Sequence, residues 1–582
     1  MVDHDITTPW VVDNPLSTKY PLYTRANIAE VYPNVATPLG WTIFAGVPGE
    51  VIWRRALAKW GAFDEDEFDP DNPVIAGVVH GYVYINVDVQ RILGVRTPGA
   101  TADVIDQAFF GTQPGIPPYS PRDGDDDPKY TERIAASMSE VLSMRSRPDL
   151  DEDAKAAEAL RTQRPDFSTL SDAELLDRAR YILREYVPGI HEKNYRLVYE
   201  SSIPTGMLYA ALAPLDDPSI AVRIISGLGG VDSAAPSRAM WELARLVAGS
   251  EGLTREFGRG ISDLLDRLRQ SDSDESQQFL REFEKLLYHY GSRGVDEWEI
   301  GRPTWETHPE HALALIDRMR LQPPNRSPES RAKELANERE ALTREIRGRL
   351  SDHPDQLEAF DEALRMVSLF LPARERAKTN IVRVWHEARL PLLEIGRRMV
   401  DAGHFARYDD IVMLRADELD GLLANPRDMA PVVAERRQWY EELQELDPPF
   451  IISAGAVPPV QIWPKKKEPS VTPAQPGEVL TGIAACPGIA TGIARVVHNP
   501  ADAGSLEPGE ILVAPMTDPG WTPLFVSADG VIVDVGAQLG HAAIVSRELG
   551  IPCVVSVQNA SKRIVTGTKL TINGTAGTVT II

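Results

Sequence analysis

The sequence predicts a multidomain protein in which a large, mainly α-helical domain precedes a small C-terminal α/β domain. The chain has 582 residues, more than a single hydrophobic core usually holds. Charged segments with apolar residues at helical spacing recur through residues 130–450. After residue 477 they give way to short apolar runs separated by glycine and proline, a pattern typical of strands joined by turns.

A proline-rich segment separates the two predicted domains. Residues 455–477, GAVPPVQIWPKKKEPSVTPAQPG, show little periodic hydrophobicity and include three consecutive lysines. Because proline favours an extended backbone, we expect a stiff linker here. The predicted domains are therefore residues 1–454 and residues 478–582.

The large domain is expected to begin with mixed α/β structure and to continue as helices. Its best strand or hairpin candidate is GVVHGYVYINVDV at residues 77–89. Later segments place apolar residues at helical spacing, for example AELLDRARYILREYV, QQFLREFEKLLYHYG and PLLEIGRRMVDAG. In the C-terminal domain, helical periodicity appears only near residues 522–528 and 541–549, among seven β-type runs. That mixture predicts a compact α/β unit.

Composition limits the partners and the compartment. The formal net charge is −24, which argues against nucleic-acid and anionic-membrane surfaces because both require clustered lysine and arginine. Cys486 and Cys553 are the two cysteines, a usage that fits a reducing cytoplasm. The first residues lack the pattern of a signal peptide, and no apolar run reaches about 18 residues. We therefore expect a cytoplasmic protein without a membrane span.

The candidate functional residue is the histidine of VDVGAQLGHAAIVSRELGIPCVV. His541 follows a β-type run and a glycine-containing turn, and it begins a helix-like segment. The start of a helix offers unpaired N–H groups and positive potential, which disfavour imidazolium and stabilise an anion carried by the ring. A neutral imidazole is also a nucleophile. From the spacing alone, a helix-capping or buried polar histidine is the alternative.

Three segments resemble the mobile phosphohistidine domain of phosphoenolpyruvate-utilising enzymes. They are MTDPGWTPLF, GVIVDVGAQLGHAAIVSRELGIPCVV and the closing GTKLTINGTAGTVTII. The resemblance places His541 on the histidine that is phosphorylated in the family, and it implies a swivelling α/β domain. It also makes Gly540, Ala542 and Arg547 candidates for stabilising the phosphoryl group.

The chain departs from the family pattern just before this histidine. Ala537, Leu539 and Gly540 stand where the family has glycine, threonine and serine. In plant-type dikinases that threonine is a regulatory phosphorylation site, so we expect no such control here. The N–H group of Gly540 is expected to be accessible and to compensate for the lost hydroxyls.

The N-terminal region resembles the acceptor-binding domain of rifampin phosphotransferases. The similar pieces lie at residues 23–44, 81–89, 289–310 and 391–419, in the same order as in that family. By analogy, residues 1–454 bind the phosphoryl acceptor. An arginine could hold a phosphoryl oxygen and a carboxylate could accept the hydroxyl proton, whereas a set of structural salt bridges is the alternative. The candidate acceptor-binding residues are Arg25, Asn27, Glu30, Arg293, Asp296 and Glu297.

The remaining histidines and the tryptophans are expected to be structural. His289, His386 and His404 have no metal-ligand spacing, and no metal site is predicted. The tryptophans mostly mark core, although some could line an apolar pocket for an aromatic ligand. Those singled out are Trp41, Trp241, Trp298, Trp305 and Trp385.

The family resemblance also implies a partner. The acceptor-like region begins by residue 23, and neither an ATP-grasp domain nor a glycine-rich GxxxxGK[ST] motif is found. We therefore expect this chain to bind no cofactor alone and to receive its phosphoryl group from ATP and Mg²⁺ on a separate ATP-grasp subunit, as in two-component phenylphosphate synthase and 4-methylbenzyl phosphate synthase. The expected acceptor is a hydroxyl of a small aromatic compound. A rifamycin-like natural product as acceptor and a non-catalytic phosphohistidine carrier are the alternatives.

Overall fold

A computed structural model describes residues 7–111, 113, 115–215, 217–466, 471–498, 506–538 and 540–582. Residues 467–470 of the predicted linker and Leu539 therefore lie outside the described residues. Within the described part of the chain, no helix is both long and apolar enough to cross a membrane.

Helices dominate the chain before residue 445, as the sequence predicts. A π-helical turn, Trp41–Ala45, continues directly from the first short helix. The described helices are α1 Pro38–Gly40, α2 Val47–Trp60, α3 Val87–Arg96, α4 Ala102–Phe110, α5 Pro128–Ser143, α6 Pro148–Thr162, α7 Asp172–Glu185, α8 Val187–Glu200, α9 Ser202–Leu212, α10 Pro218–Ile224, α11 Ala235–Ala248, α12 Glu251–Gly258, α13 Leu264–Arg269, α14 Asp274–Tyr290, α15 Pro309–Arg320, α16 Pro328–Arg349, α17 Pro354–Asp401, α18 Leu419–Ala424, α19 Pro426–Gln444, α20 Thr522–Phe525, α21 His541–Leu549 and α22 Ala560–Arg563.

The strands form two sheets. The described strands are β1 Leu22–Thr24, β2 Ala76–Val79, β3 Tyr82–Asn86, β4 Ile451–Ser453, β5 Val479–Thr481, β6 Ile483–Cys486, β7 Ile489–Val496, β8 Ile511–Ala514, β9 Gly530–Val533, β10 Cys553–Val555, β11 Lys569–Asn573 and β12 Thr578–Ile581. A mainly helical region with a small C-terminal α/β region confirms the predicted fold class.

The first compact unit comprises Met1–Ile203, Trp298–Arg302 and Arg376–Ser470. Its sheet has the order β2-β3-β1-β4, and every pair in it is antiparallel. Buried Glu50 on α2 accepts hydrogen bonds from the N–H groups of Val74 and Ile75, which ties the helix to the start of β2. The carboxylate thereby satisfies backbone donors that burial would otherwise leave unpaired.

The second compact unit comprises Pro204–Glu297, Pro303–Glu375 and Val471–Ile582. Its sheet has the order β5-β12-β11-β7-β8-β9-β10-β6, in which β7, β8, β9 and β10 are parallel neighbours. Alternate residues of these strands enter two different cores, because successive side chains point to opposite faces of a sheet. Leu512 and Val531 pack in one core with helical residues such as Trp241, whereas Ile511 packs in the other with β11 and β12.

The second unit therefore places the C-terminal α/β region and helices α10–α16 in one body, and helices α11–α15 share a core with the α/β region. In the sequence, the first unit ends at Ser470 and the second resumes at Val471, which is inside the predicted linker at residues 455–477. The predicted division into residues 1–454 and 478–582 stays a prediction.

One predicted element is wrong in part. Residues 77–89 were expected to form a strand or hairpin. The antiparallel pair of β2 and β3 forms that hairpin, but β3 ends at Asn86 and α3 begins at Val87. The Asn86 side chain accepts a hydrogen bond from the N–H of Val89 at 2.9 Å, and asparagine is a favoured residue at this capping position. This local hydrogen bond ends the strand, although valine by itself favours β structure.

Candidate active site

His541 lies at the first position of α21, directly after the loop that follows β9. Its neighbour Gly540 is the N-cap and has extended backbone, with no side chain to cap the helix. The predicted helix over residues 541–549 is confirmed. His541 is 7% exposed, so the imidazole is a buried group whose nitrogens need partners.

Two threonine hydroxyls hold the imidazole. Nδ1 of His541 lies 3.1 Å from Oγ1 of Thr517, and Nε2 lies 3.0 Å from Oγ1 of Thr522. A neutral imidazole has one donor nitrogen and one acceptor nitrogen, and a hydroxyl can serve either. The ring of Phe525 meets the imidazole edge-on at a centroid distance of 5.9 Å. These contacts fix the ring plane and keep both nitrogens hydrogen-bonded.

Sequence reasoning did not single out the two threonines, although both belong to the quoted segment MTDPGWTPLF. Thr517 follows β8 and Thr522 begins α20, so the loop between these elements carries both hydroxyls. Both threonines are buried, with exposures of 2% and 0%. The sequence does show two hydroxyl residues on either side of a short turn, which could have suggested a polar site. Which side chain these hydroxyls contact depends on tertiary packing.

The three predicted phosphoryl-stabilising residues differ in their positions. The N–H of Gly540 donates to the carbonyl of Ala537 at 2.9 Å, so it is not the accessible donor that the sequence suggested. Ala542 is buried beside His541 in the first turn of α21. Arg547 lies in the last turn, and its Nε donates to the carbonyl of Ala485 at 2.8 Å. Six residues of helix correspond to about 9 Å along the axis, so Arg547 is not beside the imidazole.

Asp518 joins the threonine loop to a second loop of the same unit. Its Oδ1 accepts from the N–H of Gly520 at 2.8 Å, and its Oδ2 accepts from the N–H of Asp296 at 2.7 Å. Burial, together with the nearby carboxylate of Asp296, raises the pKa of Asp518 well above its usual range. The backbones approach closely here, since a Cβ added to Gly520 would lie 2.6 Å from the carbonyl carbon of Gly294.

The predicted residues Arg293, Asp296 and Glu297 lie in this second loop. Nη1 of Arg293 is 3.0 Å from Oε1 of Glu297, and the two side chains are almost completely buried. Asp296 has a φ of 55°, which is uncommon for a residue other than glycine. The loop therefore contains the salt bridge that was the structural alternative, and it also contacts the segment that holds His541.

The predicted residues Arg25, Asn27 and Glu30 lie in the first unit. The guanidinium of Arg25 is buried and donates to the carbonyl oxygens of Val83, at 2.6 Å, and Pro33, at 2.9 Å. Asn27 precedes the 3-10 turn Ile28–Glu30 with a φ of 60°. These hydrogen bonds indicate a structural role for Arg25, which holds the loop at Pro33 against β3.

A further set of contacts holds the C-terminal turn of α21. Oε1 of Glu548 accepts from the N–H of Leu228 at 3.1 Å, and Oε2 accepts from the N–H of Gly229 at 3.2 Å. Nη1 of Arg331 donates to the carbonyl of Leu549 at 3.2 Å. Together with the Asp518 contact, they attach α21 and the threonine loop to the helical part of the second unit at two separate points.

No cluster of histidine, cysteine, aspartate and glutamate suited to a metal ion occurs among the residues described. Both cysteines are buried, and burial raises the pKa of the Cys553 thiol to about 12. The candidate site is a buried imidazole held by two hydroxyls at the start of a helix.

Two family models match the chain. The model described as PEP-utilising enzyme, mobile domain, matches residues 506–577, which include His541 and both threonines. This chain carries the mobile domain of PEP-utilising enzymes. The model described as Rifampicin phosphotransferase fourth domain matches residues 197–375, which include the loop of Arg293, Asp296 and Glu297. The two resemblances predicted from the sequence are therefore confirmed.

Curated relatives agree with these matches. Rifampicin phosphotransferase of Bacillus cereus is 28% identical over 57% of this chain and 40% of its own length. Prodigiosin synthesizing transferase PigC of Serratia marcescens is 25% identical over 98% of this chain and 64% of its own length. Rifampicin phosphotransferase of a Streptomyces species is 30% identical over 58% of this chain and 41% of its own length. The chain thus spans about two fifths to two thirds of these relatives.

Proposed function

We propose that this chain is the phosphoryl-carrying and acceptor-binding part of a phosphotransferase. His541 accepts a phosphoryl group that originates from ATP and transfers it to a hydroxyl of a small aromatic substrate. The observation that carries the proposal is the match of the mobile domain, with His541 at a helix start and both ring nitrogens held by hydroxyls.

The transfer takes place in two steps. In the first, a ring nitrogen of neutral His541 attacks phosphorus, an N–P bond forms, and the P–O bond to the nucleotide breaks. In the second, the acceptor oxygen attacks phosphorus, the N–P bond breaks with its electron pair returning to the ring, and the hydroxyl proton passes to a base. The threonine bonded to the attacking nitrogen must turn away first, because its hydroxyl occupies that position.

The donor is proposed to be an ATP-grasp domain on a separate subunit, which would bind ATP and Mg²⁺. Phosphoryl transfer from a nucleotide depends on groups that position the triphosphate and neutralise its charge. The mobile domain would then move as a body between donor and acceptor. Val460 and Trp463 of the predicted linker pack in the core of the first unit, so only the residues after them could supply the reach of the linker. In this arrangement the chain alone neither binds nor hydrolyses ATP.

The acceptor has one specific alternative. The match of residues 197–375 to the Rifampicin phosphotransferase fourth domain favours a larger natural product of the rifamycin kind. A third possibility, a phosphohistidine carrier that signals to a partner, involves no acceptor turnover. Conversion of a phenol or of rifampicin in the presence of ATP and the donor subunit separates these three functions.

The test is to isolate the chain from its own cells under alkaline conditions and to map phosphohistidine by mass spectrometry. We expect an acid-labile, base-stable phosphoryl group on the peptide that contains His541, and none in His541→Asn. His289→Asn is the matched control, because His289 is an exposed histidine outside the mobile domain. Phosphorylation that persists in His541→Asn, or that is absent from the wild type, contradicts the proposal.

A further inference from the structure

The first unit contains a stack of aromatic rings around a buried histidine. The ring of His191, on α8, lies parallel to that of Phe44 at 5.0 Å and to that of Tyr195 at 4.2 Å. Phe44 also stacks on Trp385 at 4.1 Å, and Trp298 lies 5.7 Å from His191. An interior of this kind presents flat, parallel faces, which suit a planar ring.

Two polar atoms in this stack have no hydrogen-bond partner. Within the described part of the chain, Nδ1 of His191 and Nε1 of Trp298 are both buried and unpaired. Burial lowers the pKa of His191 to about 3, so the ring is neutral at pH 7 and Nδ1 can accept a hydrogen bond. Buried polar groups are nearly always paired, because leaving them unpaired costs folding free energy. Two such atoms in one aromatic stack point to a ligand that pairs with them.

The segment that carries Phe44 has an unusual backbone conformation. Phe44 lies on the π-helical turn Trp41–Ala45, and such turns occur frequently at functional sites. Gly46 closes this turn, and a Cβ at that position would lie 2.6 Å from Nε1 of Trp41. Next to Trp298, the buried carboxyl of Glu299 accepts from Oγ1 of Thr37 at 2.5 Å. This hydrogen bond links Glu299 to Thr37, the N-cap residue of α1. Helix α1 continues directly into the π-helical turn that carries Phe44.

We propose that this aromatic stack is the acceptor site: it binds a planar aromatic compound with a hydroxyl group, which donates to Nδ1 of His191, while Nε1 of Trp298 donates to an oxygen of the compound. This inference rests on the proposed phosphotransferase function, whose acceptor it specifies. Entry of the compound separates rings that now touch, and it pairs both buried atoms. His191 then acts as a positioning residue, because its neutral Nδ1 accepts a hydrogen bond from the hydroxyl and orients it.

The test measures binding by the full chain without ATP. Equilibrium dialysis compares 2-naphthol with 2-methoxynaphthalene, which keeps the ring system but has no hydroxyl to donate. We expect at least tenfold tighter binding of 2-naphthol, because only the hydroxyl pairs with Nδ1. In His191→Phe, which keeps a flat ring and removes the nitrogen, this preference should disappear. Trp298→Phe should weaken binding of 2-naphthol several-fold.

Trp439→Phe is the matched control, because Trp439 is a buried tryptophan of the same unit that packs against Trp10 and not in the stack. It should bind 2-naphthol as the wild type does. Equal binding of the two naphthalenes by the wild type, no binding of either, or an unchanged preference in His191→Phe overturns the inference. His541→Asn separates the two proposals: the acceptor site predicts unchanged 2-naphthol binding in that variant, whereas the phosphotransferase proposal predicts loss of phosphohistidine.

Discussion

Replacing Gly520 by alanine should release the mobile domain from the loop that contains Asp296. Gly520 lies in the 3-10 turn Pro519–Trp521, whose backbone alanine can adopt. The added Cβ would lie 2.6 Å from the carbonyl carbon of Gly294 and 2.7 Å from the nitrogen of Val295. All these atoms are backbone, so no flexible side chain can move away to relieve the contact.

The size of the effect follows from these distances. Carbon atoms in ordinary contact are about 3.5 Å apart, so the two loops must separate by about 1 Å. The hydrogen bond from Asp296 to Asp518, now 2.7 Å, would then lengthen beyond the range of a hydrogen bond. Overpacking costs about 1–3 kcal/mol and the lost hydrogen bond about 1 kcal/mol. The docking equilibrium should therefore shift toward release by roughly 30-fold to 700-fold.

Hydrogen exchange measured by mass spectrometry reports this release. In Gly520→Ala, exchange should become faster at the amides of Asp296, Leu228 and Gly229, whose acceptors are Asp518 and Glu548 of the mobile domain. Amides of β8 and β9 should stay protected, since the mobile domain itself remains folded.

The matched control is Gly348→Ala, because a Cβ at Gly348 on α16 meets open space. Its exchange should equal that of the wild type at all three amides. Unchanged exchange at Asp296, Leu228 and Gly229 in Gly520→Ala would show that the docking contacts do not depend on the close approach of Gly520 and Gly294.

Two further predictions concern buried ionisable groups. Burial raises the pKa of Asp13 from 3.8 to about 7, even though its carboxyl accepts hydrogen bonds from three backbone N–H groups. The folded protein therefore keeps this carboxyl protonated over a range in which the unfolded chain loses the proton. The free energy of unfolding should decrease as pH rises from about 4 to about 7. Urea unfolding of the wild type and of Asp13→Asn should differ in this window by up to about 1.4 kcal/mol for each pH unit, and equal pH slopes would contradict the assignment. Cys486 and Cys553 should resist iodoacetamide at pH 8 in the folded protein and react after unfolding, because both thiols are buried and burial raises the pKa of each. Alkylation of either thiol in the folded chain would show that the region around β6 and β10 opens.

Local sequence patterns predicted the bounds of individual elements most reliably. The helix over residues 541–549 was predicted with its bounds, because glycine stands on each side of it and its apolar residues have helical spacing. Gly550, after the last turn, has a φ of 64°, which glycine adopts without strain. The hairpin predicted within residues 77–89 is present, and the prediction was wrong only after Asn86, whose side chain caps a helix.

Contacts between distant residues could not be predicted from one sequence. Asp518 and Asp296 are 222 positions apart, and no spacing rule relates them. The stack around His191 joins Phe44, Trp298 and Trp385 from separate parts of the chain. Trp298 and Trp385 were expected to mark core, but which residues meet there is decided by tertiary packing. The same limit applies to Thr517 and Thr522, whose role depends on the ring between them.

The strand order of the larger sheet has a consequence for a domain that travels. Its two outermost strands, β5 and β6, are consecutive in the chain and separated only by Gly482. The two margins of the sheet therefore meet end to end at Gly482, and among the described strands each outer strand pairs with a neighbour on one side only. A free margin exposes unpaired N–H and C=O groups that can recruit strands from other molecules. Both outer strands are short, with three residues in β5 and four in β6, so a domain that moves as proposed exposes only a few such groups.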